Sequence, residues 1–207
     1  MRIEKLMVGP MGANCYIIWD EASQEAAIID PGYPDQRVEQ IINNNHLKVN
    51  KIILTHGHID HLLGLDEARA LTGAAVYIHE EDASCLTSAA HNLSNMMGIG
   101  KTFDPAEHTF KDGDVINVGS HALKVMHTPG HTVGSVCFLT GDTLFSGDTL
   151  FWSSIGRTDF PGGSYTTMMS SLDKLMELPD ETKVLSGHGE NTTIGYERKA
   201  NPFIARR

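Results

Sequence analysis

Two stretches near the start of the chain, Cys15 to Trp19 and Ala26 to Ile29, are apolar almost throughout, and the polar turn Asp20-Glu21-Ala22-Ser23-Gln24 separates them. Short β-branched and aromatic runs bounded by turn residues are the pattern of buried strands, so an N-terminal hairpin closed by Asp30-Pro31-Gly32 is predicted. From Asp35 the period changes. Val38, Ile41 and Ile42 fall on one helical face, and Asn43-Asn44-Asn45 ends that helix. Lys51 to Leu54 reads as a buried strand, Leu62 to Leu71 as a second helix stopped by Thr72-Gly73, Ala75 to Ile78 as a strand and Glu80 to Leu86 as a short helix. The second half predicts strands at Val115 to Val118, Ala122 to His127, Ser135 to Leu139 and Thr143 to Ser146. A helix over Tyr165 to Leu178, N-capped by Ser164 and stopped by Pro179, leads to a strand at Lys183 to Leu185 and a last helix at Ile194 to Ala200.

Strands followed by helix-flanked loops, in each half and without a sequence repeat, fit an α/β four-layer sandwich of two sheets between two helical layers. The least regular stretch is Ala89 to Pro105, either a surface loop or a lid. A chain of 207 residues with 41% hydrophobic residues can bury one sizeable core, so a single domain over residues 1–207 is expected. The formal charge of −10, with Lys and Arg scattered, argues against nucleic acid as a partner. No segment reaches a membrane-spanning length and the N-terminus lacks a long apolar core, so a cytoplasmic protein without a membrane partner is expected. Cys15, Cys85 and Cys137 have no C-x-x-C spacing and are expected as buried free thiols.

Chemistry concentrates where the strands end. Thr55-His56-Gly57-His58-Ile59-Asp60-His61 follows the strand at Lys51 to Leu54. With 11 histidines in the chain, those offsets arise by chance with odds of roughly 2 in 1,000. Three further segments share the design of a short apolar strand running into a glycine-flanked ligand residue: Thr128-Pro129-Gly130-His131-Thr132, Ser146-Gly147-Asp148-Thr149 and Ser186-Gly187-His188-Gly189. Each alone reads as a turn, but together they gather the imidazoles and carboxylates that bind a divalent transition metal. Asp30 and Thr55 stand at strand ends where each could hold the second nitrogen of a ligand imidazole; Asp30 could instead cap the turn at Pro31. Arg157 and Asp159 could pair with each other, or Arg157 could order the ligand loops or meet a substrate carboxylate. Trp152 and Tyr33 could wall a pocket or pack in the core. His46, His79, His91, His108, His121 and His127 fit no ligand pattern and are expected to be structural or on the surface.

The set T-H-x-H-x-D-H, T-P-G-H-T, G-D and G-H resembles the metallo-β-lactamase-fold hydrolases over nearly the whole chain. Gly156-Arg157-Thr158-Asp159-Phe160 and Tyr196 to Phe203 resemble the short glyoxalase II-like branch, which includes hydroxyacylglutathione hydrolases. The resemblance implies an αββα sandwich holding two divalent ions, zinc first, with iron or manganese accepted. It implies His56, His58 and His131 on one ion, Asp60, His61 and His188 on the other, and Asp148 between them. Asp60 and Asp148 are the expected catalytic residues, and the implied reaction is hydrolysis of a small thioester such as S-lactoylglutathione by a hydroxide held between the ions. The rival of another enzyme class is a persulfide dioxygenase with one iron on His56, His131 and Asp148; a metal-holding scaffold without turnover is the remaining alternative. The β-lactamases proper lack the histidine after the loop aspartate and have cysteine in place of Asp148, so their activity is not expected. Full-length hydroxyacylglutathione hydrolases continue into a helical domain that binds glutathione, whereas this chain stops at Arg207, so weak glutathione recognition is expected.

Overall fold

In the computed structural model, which describes residues 1–205, strand β2 (Ala13–Trp19) is buried at every position. Successive side chains of a strand point to opposite faces, and here each face has its own core. Cys15, Ile17 and Trp19 pack on one side of the sheet, and Tyr16 and Ile18 on the other. Strands β1 (Arg2–Val8) and β3 (Glu25–Ile29) flank β2 antiparallel. Strands β4 (Lys48–Ile53), β5 (Ala75–His79) and β6 (His108–Phe110) then add in parallel, giving a six-stranded sheet in chain order.

The second six-stranded sheet contains β7 (Val115–Val118), β8 (His121–His127), β9 (Val136–Thr140), β10 (Thr143–Gly147), β13 (Lys183–Ser186) and β14 (Thr192–Thr193), in the order β14-β13-β10-β9-β8-β7. A two-strand hairpin, β11 (Leu150–Phe151) and β12 (Ser154–Ile155), lies beside it. β10 runs parallel to β13, and β9 is antiparallel to both β8 and β10, so the C-terminal ends of β8, β10 and β13 share one edge.

Helices α1 (Gln36–Asn44) and α2 (Leu65–Thr72) follow the first-sheet strands β3 and β4, and α3 (Ala83–Thr87) follows β5. Helices α4 (Tyr165–Leu175) and α5 (Ile194–Ala200) cover the second sheet. Three separate apolar cores lie between the layers. Val38, Ile41, Leu62 and Leu65 pack on the outer face of the first sheet. Phe110, Phe138 and Phe145 fill the space between the sheets. Met168, Leu172 and Leu175 meet Cys137, Leu144 and Val184 on the outer face of the second. Each fully buried Ile, Leu or Phe contributes roughly 1.5–3 kcal/mol. The four-layer αββα sandwich is therefore the observed fold. All three cysteines are free and buried; burial pushes the Cys137 thiol up to about 11 and the Cys85 thiol to about 12. Among the described residues no helix is long and apolar enough to cross a membrane.

Besides the short strands β6, β11, β12 and β14, which the sequence pattern does not mark, three elements depart from the sequence expectation. β1, read from sequence only for its lack of a leader-like core, is a full edge strand. The helix expected from Leu62 begins at Leu65, because Ile59–His61 first makes a single 3₁₀ turn. Helix α4 ends at Leu175 rather than Leu178. Pro179 has no N–H for the Leu175 carbonyl, and Arg198 Nη2 donates instead to the carbonyls of Met176 and Leu178, at 2.7 and 2.8 Å.

Candidate metal centre

All the ligand-bearing loops leave strand C-termini at the mouth between the two sheets. The loop after β4 is fastened by Asp30, which follows β3. Thr55 N–H donates to Asp30 Oδ1 (2.8 Å) and Thr55 Oγ1–H to Asp30 Oδ2 (2.6 Å). Asp30 itself adopts φ +51°, a left-handed conformation that a short polar side chain tolerates. The mouth is closed across the sheets by main chain: Val136 N–H donates to Thr55 O (2.9 Å) and Asn14 N–H to Gly187 O (2.7 Å). Gly187 is required here, since a Cβ would overlap Asp148 Oδ1 and stand 2.9 Å from His61 Cε1.

Four of the five loop histidines are oriented by their outward nitrogens. His56 Nδ1 faces Thr55 Oγ1 (3.1 Å), His61 Nδ1 faces Asp30 Oδ2 (2.9 Å), His131 Nδ1 faces the Arg157 carbonyl (2.7 Å) and His188 Nδ1 faces the Gly12 carbonyl (3.2 Å). Each of those oxygens can accept the Nδ1 proton, which fixes the tautomer and leaves the Nε2 lone pair turned inward. His58 turns Nδ1 inward, 2.8 Å from His131 Nε2.

The inward atoms form two groups. The donors of His56, His58 and His131 lie within 4.8 Å of one another, as do those of Asp60, His61 and His188. In the second group His188 Nε2 is 3.1 Å from Asp60 Oδ2 and 3.3 Å from His61 Nε2. Asp148 lies between the groups, with Oδ1 3.4 Å from His61 Nε2 and Oδ2 3.5 Å from His131 Nε2. His56 Nε2 and Asp148 Oδ1 are buried and have no hydrogen-bond partner. Buried polar atoms without partners are rare. Lone pairs converging from borderline-soft nitrogens and hard oxygens are the donor chemistry of a divalent transition metal, so the residues fit such ions at both groups.

The electrostatics agree with that fit. Burial first, and then the neighbouring His61, holds His56 well below the usual imidazole range. Burial with His131 beside it lowers His58 to about 3. Both rings are therefore neutral at pH 7, the form that has a lone pair to give. Burial disfavours a charge on His61 too, but Asp148, Asp60 and Asp30 together outweigh it and raise that group.

Every residue singled out in the four sequence motifs is thus brought to one place, with Asp30 and Thr55 behind the rings as expected. Arg157 contributes differently: its carbonyl orients His131, while its guanidinium makes a bidentate pair with Asp159, at 2.9 and 2.8 Å. Trp152 and Tyr33 wall nothing at the centre and are not core either; their rings are exposed, and Phe151 and Phe160 line the cavity instead. Sequence reasoning missed Asp82, which is buried. Its Oδ2 accepts from Gly57 N–H and Thr132 Oγ1–H and its Oδ1 from Gly134 N–H, each at 2.8 Å. It ties the loop of His56 and His58 to the loop of His131. No motif marked it, because Asp82 falls inside the short helix read over Glu80 to Leu86, among other acidic residues. Of the histidines outside the motifs, His79 is buried and stacks on His127, ring centroids 4.2 Å apart.

Over the centre opens a cavity of about 550 Å³, floored by His58, Asp60, His131, Asp148 and His188. Leu93, Met96 and Met97 form one wall, so the irregular 89–105 segment borders the centre.

Residues 8–188 match the family model described as the Metallo-beta-lactamase superfamily. The chain is 35% identical to the hydroxyacylglutathione hydrolase GloC of Haemophilus influenzae, over 99% of this chain and 98% of that protein. It superposes on the crystal structure of the BLEG-1 B3 metallo-β-lactamase with a TM-score of 0.92, at 36% identity over 98% of this chain and 99% of that one. It superposes on ETHE1 from Myxococcus xanthus with a TM-score of 0.85, at 32% identity over 100% of this chain and 86% of that one.

Proposed function

The chain belongs to the metallo-β-lactamase superfamily, a superfamily of metal-dependent hydrolases, and from that membership and the paired donor sets we propose a dinuclear thioester hydrolase of the glyoxalase II type. The observation that carries the reading is the set of inward, partnerless lone pairs, His56 Nε2 and Asp148 Oδ1 foremost. His56, His58 and His131 would hold one ion and Asp60, His61 and His188 the other, with Asp148 shared. Bound there, the ions supply Lewis acidity, lowering the pKa of a coordinated water towards 7 and polarising a carbonyl oxygen.

The chain's own residues do the rest. Asp30, Thr55, the Arg157 carbonyl and the Gly12 carbonyl keep the imidazole rings of His56, His61, His131 and His188 from turning. Asp148 and Asp60 bring negative charge to the floor of the cavity, where they orient a water and can take its proton. The mouth between the sheets positions a carbonyl above that floor, and the surrounding apolar wall excludes other water. No side-chain nucleophile is required. The likeness to GloC favours a small acyl thioester as the substrate class, with S-lactoylglutathione the first to assay, zinc as the first metal to test, and a small molecule rather than a macromolecule as the partner.

Metal analysis and turnover test this together. Protein expressed with both zinc and iron supplied is expected to carry about two metal ions per chain and to hydrolyse S-lactoylglutathione faster than a cephalosporin. A content of one iron per chain with no thioester turnover would replace this reading with the dioxygenase, with which the likeness to ETHE1 is compatible. Faster cephalosporin cleavage would make the protein a β-lactamase.

A further inference from the structure

The walls of the cavity are strongly one-sided in chemistry. Leu93, Met96 and Met97 of the irregular segment line it together with Phe151, Ile155 and Phe160, Phe160 standing edge-on to His58 and Phe151 edge-on to His188. Met96 and Met97 are 67% and 47% exposed, although a long apolar side chain normally finds cover. The backbone that presents them is anchored. Asn92 and Ser94 are fully buried; Asn92 Nδ2 donates to the carbonyls of Cys85 and Lys101, both at 3.0 Å, and Ser94 Oγ to the Lys101 carbonyl at 3.0 Å. The segment is thus a built platform that holds two adaptable thioether side chains over the centre.

Charge recognition is nearly absent from the same cavity. Among its described lining residues Arg157 is the sole Lys or Arg. Its guanidinium is already bidentate on Asp159 and lies 4.1 Å above the Phe160 ring. The other ionisable groups lining the cavity are the candidate ligands on its floor. A tripeptide such as glutathione, with two carboxylates and an ammonium, would find no free Lys or Arg among these lining residues to pair with its carboxylates. The chain's formal charge of −10 also repels an anionic carrier on approach.

We propose that the preferred substrate carries an uncharged apolar arm, an alkyl or aryl group on one side of the thioester, which is received among Leu93, Met96, Met97, Phe151, Ile155 and Phe160. The proposal rests on the thioester hydrolase reading for its reaction but on the cavity walls for its selectivity. The arm is held by burial alone, and the carbonyl it carries is delivered to the floor.

The test compares neutral S-acyl-N-acetylcysteamine thioesters, acetyl through octanoyl, with S-lactoylglutathione on the zinc-loaded protein. kcat/KM is expected to rise about fourfold per added methylene until the cavity is full, with the octanoyl ester surpassing S-lactoylglutathione. The slope should flatten in the double variant Met96→Ser, Met97→Ser, both sites being exposed enough to substitute without unfolding. Calorimetric binding of S-octyl-N-acetylcysteamine, a thioether that cannot be hydrolysed, against S-octylglutathione gives a readout independent of turnover. Tighter binding of the neutral octyl compound, lost in the double variant, supports the apolar-arm site even if no thioester is cleaved, and the hydrolase reading alone then fails. A flat acyl series with S-lactoylglutathione preferred overturns the apolar-arm proposal and leaves the hydrolase intact.

Discussion

Asp30 uses both carboxylate oxygens on the chain that follows β4, accepting from the Thr55 amide, the Thr55 hydroxyl and His61 Nδ1. One residue therefore sets the tautomer of His61 directly and that of His56 through Thr55. Partners of this kind are worth about 10–100-fold in metal affinity. Asp30→Asn is expected to weaken zinc binding by about that factor, read by competition with a chromophoric chelator; an unchanged affinity would remove Asp30 from the centre's support. The donors themselves were legible from sequence because His and Asp side chains stood at fixed offsets after β-branched runs, and a strand end leaves little freedom in where the next side chain points. Asp82 was not legible. Its role depends on Gly57, Thr132 and Gly134 arriving from two distant loops, and a sequence does not display that meeting. The cavity walls were hidden for the same reason. Trp152 walls nothing because it stands in the turn between β11 and β12, exposed to solvent, while Phe151 at the end of β11 lines the cavity.

At the scale of elements, hydrophobic period found the long strands and helices and missed the short ones. β6 has three residues, and β11 and β12 have two each; runs that short show no period. β1 lies at a sheet edge, and its exposed residues Arg2, Glu4 and Met7 fall on both faces, which breaks the alternation. The hairpin of β11 and β12 is held from outside by Glu197 on α5. This fully buried carboxyl group accepts from Ser153 N–H (3.0 Å), Thr192 Oγ1–H (2.6 Å) and Asn201 Nδ2 (2.7 Å). Because Phe151 and Ile155 of that hairpin wall the cavity, α5 supports the site without touching it. Glu197→Ala strands three donors and is expected to destabilise the fold by about 3 kcal/mol. Urea denaturation measures this, and a loss below about 1 kcal/mol would mean that water replaces the carboxyl group.

Across the whole molecule, the far end of the sandwich has its own fastening. Asp20, in the turn after β2, accepts from Ala22 N–H (2.8 Å) and from Ser120 N–H (2.7 Å) in the β7–β8 turn of the other sheet. The backbone hydrogen bonds from Ser120 and Ala22 hold its carboxyl well below the usual carboxylate range. A depressed value in the fold means stability that is present above the unfolded value, near pH 4, and lost as pH falls through the folded one. Asp20→Asn should therefore be less stable than the parent at pH 7, and the gap should narrow steadily below about pH 4. Urea midpoints across that range check it, and a gap that stays constant with pH would mean the link is steric.

At the other end, each donor set is recruited from both sheets. His56 and His58 leave β4 while His131 leaves β8; Asp60 and His61 belong to the first sheet's loop while His188 follows β13. An ion held by either set is thus a rivet through the sandwich, closing a ring of chain that neither half can close alone. An ion bound only by the assembled form adds about 2.7 kcal/mol at a hundredfold excess over its Kd, so stripping the metal should lower Tm by several degrees, reversibly on readdition. Scarcity of metal in its surroundings would then reach this protein first as a mechanical slackening between its halves, and its lifetime as much as its turnover would follow the supply.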